Sequence, residues 1–205
     1  MSNNIVWHEG KVTYKERCKI MRQRGLVVWL TGLSGSGKST IAVEVEKALI
    51  ARQKLVYRLD GDNIRHGLNS DLGFSEEDRH ENIRRIIEIA ALLKDAGLIA
   101  LVSFITPYRK MRELARAKIG TGSLIEVYVK ADLSICAQRD PKQLYKKAKK
   151  GKLADFTGVS SPFEEPDNPD LIIDTGKQTV KESANQLINV ILEHLKKRNN
   201  ARIGK

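Results

Sequence analysis

Gly32-Leu33-Ser34-Gly35-Ser36-Gly37-Lys38-Ser39 matches GxxxxGK[ST] at every fixed position. Glycines at this spacing let the backbone curl until several N–H groups point at one anion. A lysine and a hydroxyl at the end of the run suit the β- and γ-phosphates and a Mg²⁺ ion. The chemistry is capture of a nucleoside triphosphate. The expected contact set is Gly32, Ser34, Gly35, Ser36, Gly37, Lys38, Ser39 and Thr40. The loop does not name what the triphosphate reacts with.

A second constellation follows in Asp60-Gly61-Asp62-Asn63. Two carboxylates two residues apart repel unless a metal or a proton relieves them. Beside a triphosphate, Asp60 suits Mg²⁺ through water and Asp62 suits acceptance of a hydroxyl proton. An Asp/Gly turn is the plain alternative. Arg65, Arg79, Arg84 and Arg85 carry forked guanidinium groups that fit phosphate or sulfate; for Arg84 and Arg85 the competing reading is helix-surface charge. Phe74 and Phe156 lie in polar loops, where each can stack on a base or simply anchor its loop. Lys146, Lys147, Lys149, Lys150 and Lys152 form a basic run suited to covering polyphosphate, or to a solvated face.

These residues need a frame. Leu26–Leu30 is a continuous apolar run, as in a buried parallel strand. Further strands are expected at Leu55–Leu59, Leu98–Ile105, Leu124–Val129 and Leu171–Ile173. Between them lie helical patterns. Ile41, Val45, Ala48 and Leu49 share one face after the Gly-rich turn; Ile83, Ile86, Ile87, Ala90 and Leu93 share one after Ser75-x-x-Asp78, a cap-like signal. Gly97 ends that helix. Pro107 is expected to open the next, with Met111, Leu114 and Ala115, and Asp140-Pro141 reads as a cap and first helical residue. Residues 151–169 read as loop. Thr179-x-x-Glu182 caps a last helix carrying Leu187, Ile188, Ile191, Leu192 and Leu195. The alternation predicts an α/β fold, a parallel sheet flanked by helices, with ligands at the carboxyl ends of the strands.

At 205 residues the chain makes one ordinary domain. The expected division is a polar extension over 1–24, a P-loop domain over 25–198 with a Lys-rich lid over about 142–165, and a basic tail over 199–205. With 41% hydrophobic and 30% charged residues the chain is globular rather than disordered. No apolar run approaches the ~18 residues of a membrane span, and the start lacks a signal-peptide pattern, so a cytoplasmic protein is expected. Cys18 and Cys136 are too few and too far apart for a disulfide framework or a zinc finger. The net charge of +11 favours anionic partners, while 5% aromatics disfavour single-strand nucleic-acid binding; neither nucleic acid nor membrane is expected as a partner. Asp155-Phe156-Thr157-Gly158 matches the DxxG of a GTP switch, but no NKxD follows it. A motor-type ATPase would be longer. A small-molecule kinase fits best, with a kinase of another nucleoside or metabolite as the alternative.

In combination the motifs resemble the adenylyl-sulfate kinase family over nearly the whole chain, from about Ile5 to Leu195. They are Trp29 to Ser39, Asp60 to Leu68, Asp71 to Ser75, Asp78-Arg-x-Glu-Asn82, Ser103 to Arg109, Arg139 to Lys147, and Phe156-Thr-Gly158. The resemblance implies transfer of the γ-phosphoryl group of MgATP to the 3′-hydroxyl of adenosine 5′-phosphosulfate, and a homodimer. It implies that Asp62 is the base and that Asp60 and Ser39 serve the metal. Asn63, Ile64, Arg65, Arg79 and Asn82 then hold the acceptor nucleotide, Phe74 and Phe156 clamp its adenine, and Ile105, Thr106 and Lys142 fall on acceptor positions. Arg139 would lie against the ATP adenine, with Thr175 nearby. Many members carry Ser where this chain has Thr106, and that Ser has been proposed as a phosphorylated intermediate. Thr keeps the hydroxyl but restricts χ1; direct in-line transfer is the expected route.

Overall fold

Alternate residues of one strand divide the hydrophobic core in two. In the computed structural model, which describes residues 4–153 and 155–200, the elements in chain order are α1 (Tyr14–Met21), β1 (Leu26–Thr31), α2 (Lys38–Ile50), β2 (Val56–Asp60), α3 (Gly61–Arg65), α4 (Glu76–Asp95), β3 (Ile99–Ser103), α5 (Arg109–Ile119), β4 (Leu124–Lys130), α6 (Leu133–Arg139), α7 (Leu144–Lys149), β5 (Leu171–Asp174) and α8 (Val180–Asn200). Leu26, Val28 and Leu30 of β1 face α2 and α8, with Val45, Leu49, Leu187 and Ile191. Val27 and Trp29 point the other way, toward Ile86, Ile87 and Ala90 of α4 and Met111 and Ala115 of α5. The two-residue repeat of a strand requires this split. Burying a side chain such as Leu187 stabilises the fold by roughly 1.5–3 kcal/mol.

All sheet pairings are parallel, in the order β2-β3-β1-β4-β5. The chain crosses from β1 to the β2–β3 side and then returns to β4. The crevice above β1 is therefore a topological switch point, where α/β sheets bind ligands. The loop after β1, Asp60 at the end of β2 and Ser103 at the end of β3 all meet there.

Local chemistry sets the boundaries. Thr179 and Glu182 form a reciprocal capping box at α8, with Thr179 N–H donating to Glu182 Oε2 at 2.8 Å and Glu182 N–H to Thr179 Oγ1 at 3.2 Å. Ser75 Oγ caps α4 by accepting from Asp78 N–H at 3.1 Å. The shorter Asp78 carboxylate accepts instead from Gly73 N–H, at 3.0 Å. Gly97, at φ 94°, ends that helix in a backbone conformation few other residues adopt.

Several expected boundaries are corrected. The strand expected over Leu98–Ile105 ends at Ser103, because Thr106 turns to φ 46° and takes the chain out of the ladder. Pro107 does not open a helix: α5 starts at Arg109, and the Pro107 carbonyl accepts Glu164 N–H at 2.8 Å. Leu114 is exposed rather than core-facing. Asp140 ends α6, and three residues of turn, closing with Gln143 at φ 56°, precede α7. Its carboxylate still caps α7, accepting from the Tyr145 and Lys146 N–H groups at 3.1 Å each. The N-terminal stretch contains a helix, α1, opened by a Thr13–Glu16 capping box. Gln23 beyond it donates to the Leu55 and Gly97 carbonyls, both at 2.8 Å, tying the edge of β2 to the end of α4. The basic tail expected over 199–205 lies outside the described residues beyond Asn200.

Candidate active site

The Gly-rich loop runs from the end of β1 into α2. Gly32 sits at φ 148°, and a Cβ there would lie 2.3 Å from the Val129 carbonyl oxygen, so no side chain fits. Gly37 precedes α2, and no side chain caps that helix among the described residues. Its first-turn N–H groups and positive dipole end are thus presented to the crevice. Lys38 is 8% exposed, its ammonium donating to the Gly32 and Leu33 carbonyls at 2.9 and 2.7 Å. Burial lowers its pKa to about 8.

Arg139 reaches across the loop. It donates to Thr175 Oγ1 at 3.0 Å and to the Thr175 carbonyl at 2.6 Å, while Thr175 Oγ1 donates to the Ser36 carbonyl at 2.8 Å. Ends of α6, β5 and the Gly-rich loop are joined in this way. Gln178 Oε1 and Ser183 Oγ, buried and without hydrogen-bond partners among the described residues, line the cleft just beyond.

The acidic corner lies opposite. Asp60 is buried; Oδ1 caps α3 by accepting Asp62 N–H at 3.1 Å. Oδ2 faces Arg58 at 3.3 Å but accepts no hydrogen bond among the described residues. Ser39 Oγ lies 3.3 Å from Ser103 Oγ. An orphaned carboxylate oxygen and a helix-terminal hydroxyl are hard oxygen donors, which fits Mg²⁺ held by few protein ligands together with phosphate. No cluster of three His, Cys, Asp or Glu side chains that could hold a metal ion occurs among the described residues.

The remaining wall is basic and aromatic. Asp62 projects from the first turn of α3, half exposed, in an ion pair with Lys142. The Arg79 guanidinium donates to Thr157 Oγ1, to the Asp155 carbonyl and, at 2.9 Å, to the Phe74 carbonyl. Arg65 donates to the Leu72 and Gly73 carbonyls and lies 4.3 Å above the Phe74 ring. Phe74 is 63% exposed, whereas Phe156 is 9% exposed and packs edge-on to Tyr145 at 4.9 Å. Asn82 is buried, accepting from Asn69 Nδ2 at 2.8 Å. These groups share one cleft of about 1120 Å³ with Ser34, Gly35, Gly37, Lys38, Ser39, Thr40, Asn63, Ile105, Thr106 and Arg139.

Comparison with known proteins decides the family. The adenylylsulphate kinase family model matches residues 24–174. The chain belongs to the adenylyl-sulfate kinase family. It is 53% identical to the adenylyl-sulfate kinase of Staphylococcus carnosus over 190 residues, covering 93% of this chain and 96% of that one. A structure of the Mycobacterium tuberculosis APS kinase CysC in complex with AMPPNP and APS superposes with a TM-score of 0.79 at 46% identity, covering 82% of this chain and 98% of that one. A gluconokinase from Sinorhizobium meliloti, at 19% identity and a TM-score of 0.54, shares the fold alone.

Of the residues expected at the site, three do not line the cleft. Gly32 and Ser36 form the back of the loop, and Ile64 packs its side chain onto the core beside α4. Arg84 and Arg85 stay on the outer face of α4, paired with Glu81, and Arg85 also with Asp71. Asp155 and Thr157 of the DxxG match accept from Arg79. Sequence reasoning missed Arg58, Gln178 and Ser183 in the lining, and singled out Ser103 only as the start of a motif. Arg58 alone carried a signal, two residues before Asp60 on one strand and therefore on the same face.

Proposed function

We propose that the chain moves the γ-phosphoryl group of MgATP to the 3′-hydroxyl of adenosine 5′-phosphosulfate, giving 3′-phosphoadenosine 5′-phosphosulfate and ADP. The observation that carries this reading is one cleft holding a triphosphate loop at one end and Asp62, Lys142, Arg65, Arg79 and Phe74 at the other. Such a cleft accommodates two anionic nucleotides end to end.

In this reading Lys38 and the loop N–H groups hold the β- and γ-phosphates, and Arg139 and Thr175 flank the ATP base. Asn63, Arg65, Arg79, Asn82, Lys142 and the backbone at Ile64 and Ile105 hold the acceptor, whose base meets Phe74 and Phe156. Ser39 and Asp60 would hold Mg²⁺, which neutralises charge on the phosphates when bound. The acceptor oxygen bonds to the γ-phosphorus as the bond from that phosphorus to the β–γ bridging oxygen breaks. The hydroxyl proton passes to Asp62, and the electron pair leaves with ADP. The transition state is loose, so alignment matters more than base strength. Thr106 is 1% exposed and its Oγ1 accepts from Trp29 Nε1, which favours direct transfer over a phosphothreonine intermediate.

The reading includes a lid over about 142–165, supported by two ties from roof to floor: Lys142 to Asp62, and Arg79 to Asp155 and Thr157. It also includes a P-loop domain over 25–198, a homodimer, a cytoplasmic setting and a role in sulfate activation. Labelled ATP with Mg²⁺ and a panel of hydroxyl acceptors tests it. Transfer to adenosine phosphosulfate above all others is the expected result, and preference for another nucleoside or sugar overturns it.

Lys38 also predicts a proton signature. Burial lowers the pKa of its ammonium to about 8, and a bound triphosphate stabilises the charged form. Binding should therefore take up a proton fraction that grows as the pH rises from 7 to 9. Calorimetry in buffers of different ionisation enthalpy measures the uptake. A value near zero across pH 7–9 would show that this ammonium does not meet the phosphates.

A further inference from the structure

Thr106 stands at the centre of the acceptor side in a backbone conformation that a β-branched residue avoids. Its φ is 46°, in the left-handed region. Such a residue persists only where its surroundings over-determine it. Three buried side chains do so. Trp29 Nε1 donates to Thr106 Oγ1 at 2.9 Å, and Arg112 Nη1 donates to the Thr106 carbonyl at 2.7 Å. Thr31 Oγ1 lies 2.5 Å from the Ile105 carbonyl and, more weakly, 3.4 Å from the Thr106 carbonyl, donating to both.

Arg112 is not part of the cleft lining. It is 4% exposed, on the first turns of α5, and uses every face of its guanidinium. Nε pairs with Glu126 Oε1 at 3.1 Å, and Nη2 donates to the Glu164 carbonyl at 2.8 Å. Glu126 of β4 is itself buried and shared with Arg116, 3.1 Å away. One rigid fork therefore joins the sheet, the acceptor loop and the segment that follows the roof. Glu164 strengthens the last joint: its N–H donates to the Pro107 carbonyl and its carboxylate accepts from Arg109 N–H at 2.6 Å.

We propose that Arg112 is a positioning residue for the acceptor nucleotide, holding Thr106 in its left-handed conformation so that hydroxyl and neighbouring backbone face the cleft. Trp29 completes the hold by filling one lone pair of Oγ1. That leaves the Thr106 proton and the other lone pair for an acceptor oxygen. The burial and pairing of Arg112 fit this role, because only a planar fork satisfies two carbonyls and a carboxylate at once.

The assignment rests on the functional reading above, and its test separates the two. Arg112→Lys keeps the charge beside Glu126 but cannot span all three partners. Its KM for adenosine phosphosulfate should rise, and kcat/KM for that substrate fall by roughly 10- to 100-fold, with the KM for MgATP within about twofold of wild type. A second readout needs no substrate. The chain has two tryptophans, Trp7 exposed and Trp29 buried. In Arg112→Lys the Trp29 indole N–H should shift and exchange with solvent at least about tenfold faster as Thr106 leaves it, while Trp7 is unchanged. Arg112→Gln, with Glu126 still paired to Arg116, serves if Arg112→Lys does not fold. An unmoved Trp29 signal, or equal loss for both substrates together with a lowered unfolding midpoint, overturns the proposal. If wild type fails to phosphorylate adenosine phosphosulfate, the functional reading falls, and the indole signal alone decides the role of Arg112.

Discussion

Lys38→Ala is expected to reduce kcat/KM for MgATP by ~10²–10³-fold or more and leave a folded protein. The reasoning starts from burial. The ammonium is almost out of water, held by two carbonyls, with its pKa lowered to about 8. A charge so poorly solvated gains more from a phosphate oxygen than a hydrated one does, because water no longer screens it. Among the described residues, no other cation donates to the Gly32 and Leu33 carbonyls that hold it. Arg139 is engaged with Thr175 at the far rim, and Lys142 with Asp62 on the opposite wall. Stability should change little. Alanine leaves two carbonyls short of a donor, at about 1–3 kcal/mol if water cannot replace it, but it also removes the cost of a buried charge. Lys38→Met keeps the aliphatic stem and isolates the charge. Steady-state kinetics, nucleotide titration and an unfolding curve together check the expectation. Near-normal kcat/KM would remove the Gly-rich loop from the phosphate site.

The parts of this molecule that sequence reveals are those whose partners are near in the chain. The Gly-rich loop carries its whole cradle in eight consecutive residues. The strands announce themselves because both faces of a parallel sheet are covered, which makes β1 apolar throughout. Boundaries erred where tertiary contacts overrode local rules. Pro107 looks like a helix opener, yet Arg112 and Glu164 hold its neighbourhood extended. The helix α1 lacked an apolar stripe because it buries no residue, although its Thr13-x-x-Glu16 box was readable. Within the site, the residue types were visible and the pairings were not. Asp62 meets Lys142 across 80 positions, and Arg79 meets Thr157 across 78. Trp29 looked like one more core residue; its bond to Thr106 spans 77 positions, and nothing in either local sequence encodes it.

Asp62→Asn carries the second large effect, and its size bears on how the chemistry runs. The side chain sits at the second position of α3, exposed enough to meet an acceptor, while its backbone N–H is fixed by Asp60. Asparagine preserves the shape and the hydrogen bond to Asp60, so MgATP binding should stay within about twofold, since no part of the Gly-rich loop is touched. Turnover should fall by ~10²–10⁴-fold, the usual contribution of a positioned general base. A loose transition state moderates this, because the proton leaves the acceptor oxygen late and the carboxylate acts first by orienting it. Asparagine can still orient through its carbonyl, which places the expected loss nearer the lower bound. Asp62→Ala removes orientation as well and should be worse than Asp62→Asn. The order of the two variants separates proton acceptance from alignment: equal losses assign the whole effect to the proton, and a much larger loss for alanine assigns most of it to geometry. Unchanged kcat in Asp62→Asn, or a collapse of MgATP binding, would remove Asp62 from the reaction centre and leave its pair with Lys142 as a latch alone.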